Sequence, residues 1–249
     1  MLVMICRYIA MIFVFSMMST MLYASCDFNS AHHLKELSRA ENLNQIAIKI
    51  RDSNKFAKNA FRIITSDSIA IENKYKKRFN AVITAHYTFG TCQYDAKVRV
   101  SGDIKDHVGL ASSNSIKMSL DVKIRDGSVL GAVAFKLFLP ETRNGIDEIL
   151  ATQILRDFGY ISPNTLFITA SINGYSGQYI FQEKARKELL ESLGRREGPI
   201  FEGDESGLWS KKGFDKNKQK LALGRMENTK WIDKGEISKR ISLKSYNRI

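Results

Sequence analysis

The sequence predicts an α+β fold in which antiparallel hairpins predominate and helices are inserted between them. The first observation behind this is a long alternation. Phe79, Ala81, Ile83, Ala85, Tyr87 and Phe89 fall at every second position into Gly90-Thr91, and Tyr94, Ala96, Val98 and Val100 do so after it. Period two with a turn between is the pattern of paired, half-buried strands. The second observation is a further pair of strand-like stretches, 115–124 and 132–139, around Arg125-Asp126-Gly127-Ser128. The third is a set of helical patterns between the hairpins. Ser53 can cap a helix that places Phe56, Ala60, Phe61 and Ile64 on one side, and a second helix covers 146–158.

The remaining elements follow in order. Residues 30–39 read as a short helix with Ser30 as N-cap and Leu34 and Leu37 on one face, and Ile46, Ile48 and Ile50 alternate as a half-buried strand. Each of the three prolines, at 140, 163 and 199, falls at an element boundary, where a missing N–H costs nothing. After Gly203 the apolar periodicity fades, with Leu208, Trp209, Leu221, Leu223, Trp231 and Ile241 scattered among basic residues. Four segments are expected: 1–25 as leader or anchor, 26–97 as an N-terminal helix and strand region, 98–205 as a main lobe, and 206–249 as a basic, incomplete end.

The leader carries one charge, Arg7, followed by an apolar, Met-rich run. This predicts a secretory signal. The run is also near the lower limit for crossing a bilayer, so residues 8–24 are the alternative, an inner-membrane anchor. Ala24-Ser25-Cys26 has a further likeness to a lipoprotein cleavage box, although Tyr23 stands where a small or aliphatic residue is preferred. The expected location is periplasmic or cell-surface. Beyond the leader only Cys26 and Cys92 remain, and an oxidising compartment favours their pairing over two free thiols. No Cys/His spacing suits zinc, and His32-His33 reads as a solvated helix start.

The formal charge is +12, and from Trp209 to Ile249 twelve Lys/Arg face four acids. A basic end of this kind suits an anionic envelope polymer or lipid. Nucleic acid is the least expected partner for an exported chain.

Between Phe135 and Asp204 an ordered set of short words appears: Gly159 after a helix, Pro163-Asn164-Thr165, Ile172-Asn173-Gly174 in a hairpin, Phe181-Gln182-Glu183 before a helix, and Leu189-Leu190. In this order they resemble the spore coat protein H (CotH) kinase-like family. Weaker likenesses extend back to Arg99 and Gly102, matching an Arg-x-x-Gly, and to Lys117, matching the lysine of a Lys-x-x-x-Leu strand.

The resemblance implies the N-terminal lobe of an atypical kinase, with ATP and Mg²⁺ as cofactors and a protein or cell-surface acceptor. It further implies a lysine on the nucleotide phosphates, for which Lys117 and Lys136 compete. Glu148 would be its ion-pair partner, with Glu141 as runner-up. Arg99 and Gly102 would bring backbone close to phosphate, and Phe181, Gln182 and Glu183 would form the linker along the base. Each has an ordinary structural reading as well: a solvated strand lysine, an acid at a helix N-terminus, a turn glycine, or a helix acid opposite Lys187. Glu202, Asp204 and Glu205 read as a polar loop or a metal-binding cluster. After Asp204 the sequence offers only Asp215 and Asp233 where the family places its catalytic and metal-binding aspartates. A shortened or degenerate member, without phosphotransfer of its own, is therefore expected. The rival expectation is a non-enzymatic surface or periplasmic module that holds an anionic envelope polymer.

Overall fold

The computed structural model describes residues 25–29, 32–112, 115–204 and 223–247. The chain closes a barrel rather than an open lobe sheet. Its strands are β2 (Leu43–Ile50), β3 (Phe79–Tyr87), β4 (Gly90–Val100), β7 (Leu120–Ile124), β8 (Ala134–Phe138), β9 (Thr165–Ile172) and β10 (Tyr175–Glu183). They pair in the order β4-β3-β2-β9-β10-β8-β7, and β7 pairs back onto β4. Every neighbour is antiparallel except β2 and β9, which run parallel. A two-residue β1 (Ser25–Cys26) extends β4, while β5 (Val108–Leu110) with β6 (Ile116–Met118), and β11 (Phe201–Asp204) with β12 (Leu223–Met226), form separate ladders.

The expected α+β lobe of a kinase is thereby corrected to a mostly-β, closed mixed barrel with few helices. Two features close it. The eleven-residue β4 is long enough to pair with β3 through Phe79↔Val98 and with β7 through Ala96↔Ile124. The parallel β2–β9 seam joins the β2–β3 and β9–β10 antiparallel pairs, and with the β4–β7 pairing it closes the sheet on itself. The boundary expected between residues 97 and 98 falls inside β4, and the barrel takes strands from both sides of it.

The barrel interior is filled by the inward set of each strand. Ile46, Ile48 and Ile50 meet Ala81, Ile83 and Ala85, and Val98, Leu120, Val122, Phe135, Leu137, Ala170 and Phe181 complete the packing. The Phe135 and Phe181 rings pack at a tilt of 30°, 4.7 Å between centres. At the seam, Asn173 adopts φ +46 and Gly174 φ +92, the pair of left-handed residues that a tight hairpin between right-twisted strands requires. Asn173 also locks the parallel junction. Its N–H donates to the Ile48 carbonyl at 3.0 Å, and its side-chain oxygen accepts from the Ile50 N–H at 2.8 Å.

Among the described residues five α-helices lie outside the strands: α1 (Leu34–Leu37), α2 (Ser53–Ile64), α3 (Asp147–Asp157), α4 (Lys187–Ser192) and α5 (Glu236–Tyr246). Helix α2 buries Phe56, Asn59, Ala60 and Ile63, whereas Phe61, expected on that face, is 56% exposed. Its N-cap position belongs to Asp52 rather than Ser53. The first hairpin turns at Thr88-Phe89, one step before the expected Gly90-Thr91. Residues 115–118 pair with β5, so only the later part of the expected 115–124 strand meets β8. Cys26 and Cys92 face each other in the β1–β4 register and are joined by a disulfide, Cα to Cα 4.0 Å.

Candidate functional site

Strands β7 and β8 turn apolar residues inward, while their outward row mixes the buried Ala134 and Phe138 with Asp121, Lys136 and the exposed Lys123. Across the outer surface the register places Arg99 beside Asp121, Asp121 beside Lys136, and Lys136 beside Gln182. Asp121 is 2% exposed and is held by three cations. Arg99 donates to it through Nε at 3.0 Å and Nη2 at 2.8 Å, Arg78 through Nη2 at 3.1 Å, and Lys184 through Nζ at 3.3 Å. Burial alone would raise its carboxyl pKa. The fields of Lys184, Arg78 and Arg99 outweigh that and hold it at about 2.

One row further along, Lys97 of β4 lies directly opposite Lys123 of β7. Neither makes an ion pair among the described residues. The Lys123 pKa is lowered by partial desolvation and by the surrounding Arg186, Lys230, Arg78 and Lys97. This outer face therefore carries Arg78, Lys97, Arg99, Lys123, Lys136 and Lys184 around a single buried carboxylate.

Lys136 opens into a cavity of about 220 Å³ between the barrel wall and the β11–β12 hairpin. Ile161, Pro163, Leu189, Ile200 and Phe201 give it apolar walls, and Lys184, Glu202 and Glu227 give it charge. The Lys136 ammonium lies 5.4 Å from the Phe138 ring centre, and Arg143 packs on the same ring at 4.0 Å. Among the described residues Lys136 makes no hydrogen bond or ion pair. Burial lowers its pKa, helped by Lys184 and Arg143 and opposed by Glu202 and Asp121. Across the cavity, burial and the adjacent Glu227 push the Glu202 carboxyl up, while Arg225 bridges both glutamates.

The structure gathers some of the sequence-derived residues and separates others. Lys136 and Glu183 reach the cavity, and Arg99 reaches the neighbouring cationic row. Glu183 is 8% exposed, and burial raises its pKa against the Asn164 amide and Arg156. Lys117 lies on β6, outside the barrel, paired with Glu141. Glu148 accepts from Gln182 Nε2 at 2.6 Å and stands 3.8 Å from Arg143, so it ties α3 to β10. Gly102 has φ +104, and a Cβ there would lie 2.0 Å from the His107 ring. The glycine thus gives that buried imidazole its room. Asp204 is on β11 and Asp233 lies in the 229–234 turn, whereas Ser30, Glu205, Asp215, residues 8–24 and the lysines from 211 to 220 fall outside the described residues.

Sequence reasoning missed Asp121, Arg78, Lys184, Lys97 and Lys123. The one available signal was an acid in mid-strand, LDVKI, where an unpaired carboxylate has no place.

Pockets that bury ligands of drug size hold about 300–1,000 Å³, and the carboxylates Glu202 and Glu227 are already engaged by Arg225. No group of three His, Cys, Asp or Glu side chains suited to a metal ion occurs among the described residues, and none of the described helices is long and apolar enough to cross a membrane. No protein-family model matches the sequence, and no significant relative is found among curated proteins.

Proposed function

We propose that this chain is an exported binding module whose outer barrel face holds a linear anionic polymer of the cell envelope. One observation carries the reading: Lys97 and Lys123 stand directly opposite each other across β4–β7, and neither is ion-paired among the described residues, the nearby Asp95 being bound to Arg51 and Asp121 to Arg78, Arg99 and Lys184. Like charges in register destabilise a sheet. Departures from local rules concentrate where function requires them. The row beside them adds Arg78 and Arg99, and the side chains of Arg186 and Lys230 extend the positive field. A strip of cations along strands suits repeated phosphate or carboxylate groups better than a single small anion. The Cys26–Cys92 bridge supports an oxidising compartment.

Polyphosphate and polygalacturonate, titrated against the purified protein at low and moderate salt, provide the test. Binding is expected to weaken with salt, and Lys97→Glu with Lys123→Glu together should reduce affinity at least about tenfold, or ~1.4 kcal/mol. Unchanged affinity in the double variant rejects the strip as the site. Magnesium-dependent ATP binding would instead support the phosphotransferase reading that the CotH resemblance implies.

A further inference from the structure

We propose that the cavity at Lys136 is a covalent capture site for a small α-oxo acid, with Lys136 as the condensing amine and Glu202 as the acid that assists loss of water. This site is separate from the polymer strip and does not depend on it.

Geometry supplies the first argument. An ammonium in a cavity wall with no carboxylate or carbonyl partner is costly, and the neutral amine removes that cost. Lys136 has no such partner among the described residues, and its nitrogen has only the Phe138 ring, 5.4 Å away at its centre. The neighbouring cations Lys184 and Arg143 discourage protonation further, while Asp121 is committed to Arg78, Arg99 and Lys184. An amine kept neutral by desolvation and adjacent cations is an activated nucleophile toward carbonyl carbon.

The opposite wall supplies the second argument. Glu202 faces Lys136 across the cavity with Glu227 beside it, and two carboxyl groups in contact favour one shared proton. A neutral amine and a protonated acid across one small space are the groups that imine formation needs. The Lys136 nitrogen lone pair attacks the ketone carbon, forming the C–N bond as the C=O π bond breaks, and the proton released by the nitrogen passes to that oxygen. Glu202 then protonates the hydroxyl, and water leaves as the nitrogen lone pair forms the C=N bond, giving an iminium with Glu202 as the carboxylate. No oxidant or reductant is consumed. Lys184, which retains N–H donors beyond its bond to Asp121, is placed to receive the ligand's carboxylate. A volume of about 220 Å³ suits a ligand of a few carbon atoms rather than a nucleotide.

Sodium borohydride trapping with pyruvate, followed by peptide mass spectrometry of the full chain, tests the proposal. Early labelling should fall on Lys136 at least about tenfold faster than on any other lysine, and acetone, which lacks the carboxylate, should label it far more slowly. Lys136→Met, which keeps an unbranched side chain at that place, should abolish the fast label, and Glu202→Gln should slow it at least about tenfold while Lys136 remains. Circular dichroism and the intact disulfide establish that each variant is folded. Labelling spread evenly over the lysines, or a fast label surviving Lys136→Met, overturns the site. Equal rates with acetone and pyruvate overturn the α-oxo acid assignment, and an unchanged rate in Glu202→Gln overturns the role of that residue.

Discussion

The two faces of β7, β8 and β10 are held by opposite physics. Inward, Leu120, Val122, Phe135, Leu137 and Phe181 fill the barrel with apolar side chains that need only the right size and parity. Outward, Asp121 and Gln182 depend on named partners, the carboxylate on Arg78, Arg99 and Lys184 and the glutamine on Glu148. The inner face is therefore a property of each strand alone. The outer face is a property of which strands become neighbours.

Truncation of each face sharpens that contrast. Phe135 is fully buried and packs on Phe181, so Phe135→Ala should cost about 3–5 kcal/mol. Chemical denaturation measures the loss, and polymer binding by the still-folded fraction should persist. Asp121→Ala should cost less, about 3 kcal/mol, because it strands three cations at a wall where Arg78 and Arg99 can partly rehydrate. Replacement by Asn should recover part of this through hydrogen bonding. If Asp121→Ala were neutral, the outer network would be ornamental and the two faces would not differ in kind.

The same contrast decides what the sequence reveals. The strands of the barrel wall were legible, since Ile46/Ile48/Ile50 and the alternation from Phe79 to Val100 follow from the pleat. Closure was not, because it rests on β4 reaching β7 and on the parallel β2–β9 contact, pairings between distant segments. For this reason an open lobe was expected where a barrel forms. At the candidate site, Lys136 was visible as a strand lysine before a helix, but its solitude was not. That property arises because Asp121, its neighbour in register, is already taken by Arg78, Arg99 and Lys184. The motif residue Asn173 was legible as a turn former. Its two bonds to β2, which fix the seam, became apparent only with the neighbouring strand in place.

A third residue tests whether the outer face tolerates new charge. His107 is buried beside Phe138, with Nδ1 2.9 Å from the Ser119 hydroxyl, and that hydroxyl accepts from the Leu139 N–H at 3.0 Å. Ser119 thus has its own proton to give to Nδ1, which suits a neutral ring. Burial is the main cause that lowers the His107 pKa to about 4, with Arg143 and Lys136 adding to it and Asp106 and Asp103 opposing it. The unfolded chain takes up its proton near pH 6.5, while the folded chain refuses it until about pH 4. Stability is therefore fully present above pH 6.5 and falls as the pH drops through this window, by about 2 kcal/mol between pH 7 and pH 5. Denaturant midpoints at the two pH values should reveal the loss in the native chain, and His107→Gln, which can still accept from Ser119, should flatten it. Equal losses in both proteins would mean that the ring is protonated in the folded state, and that the outer face accommodates charge without a committed partner.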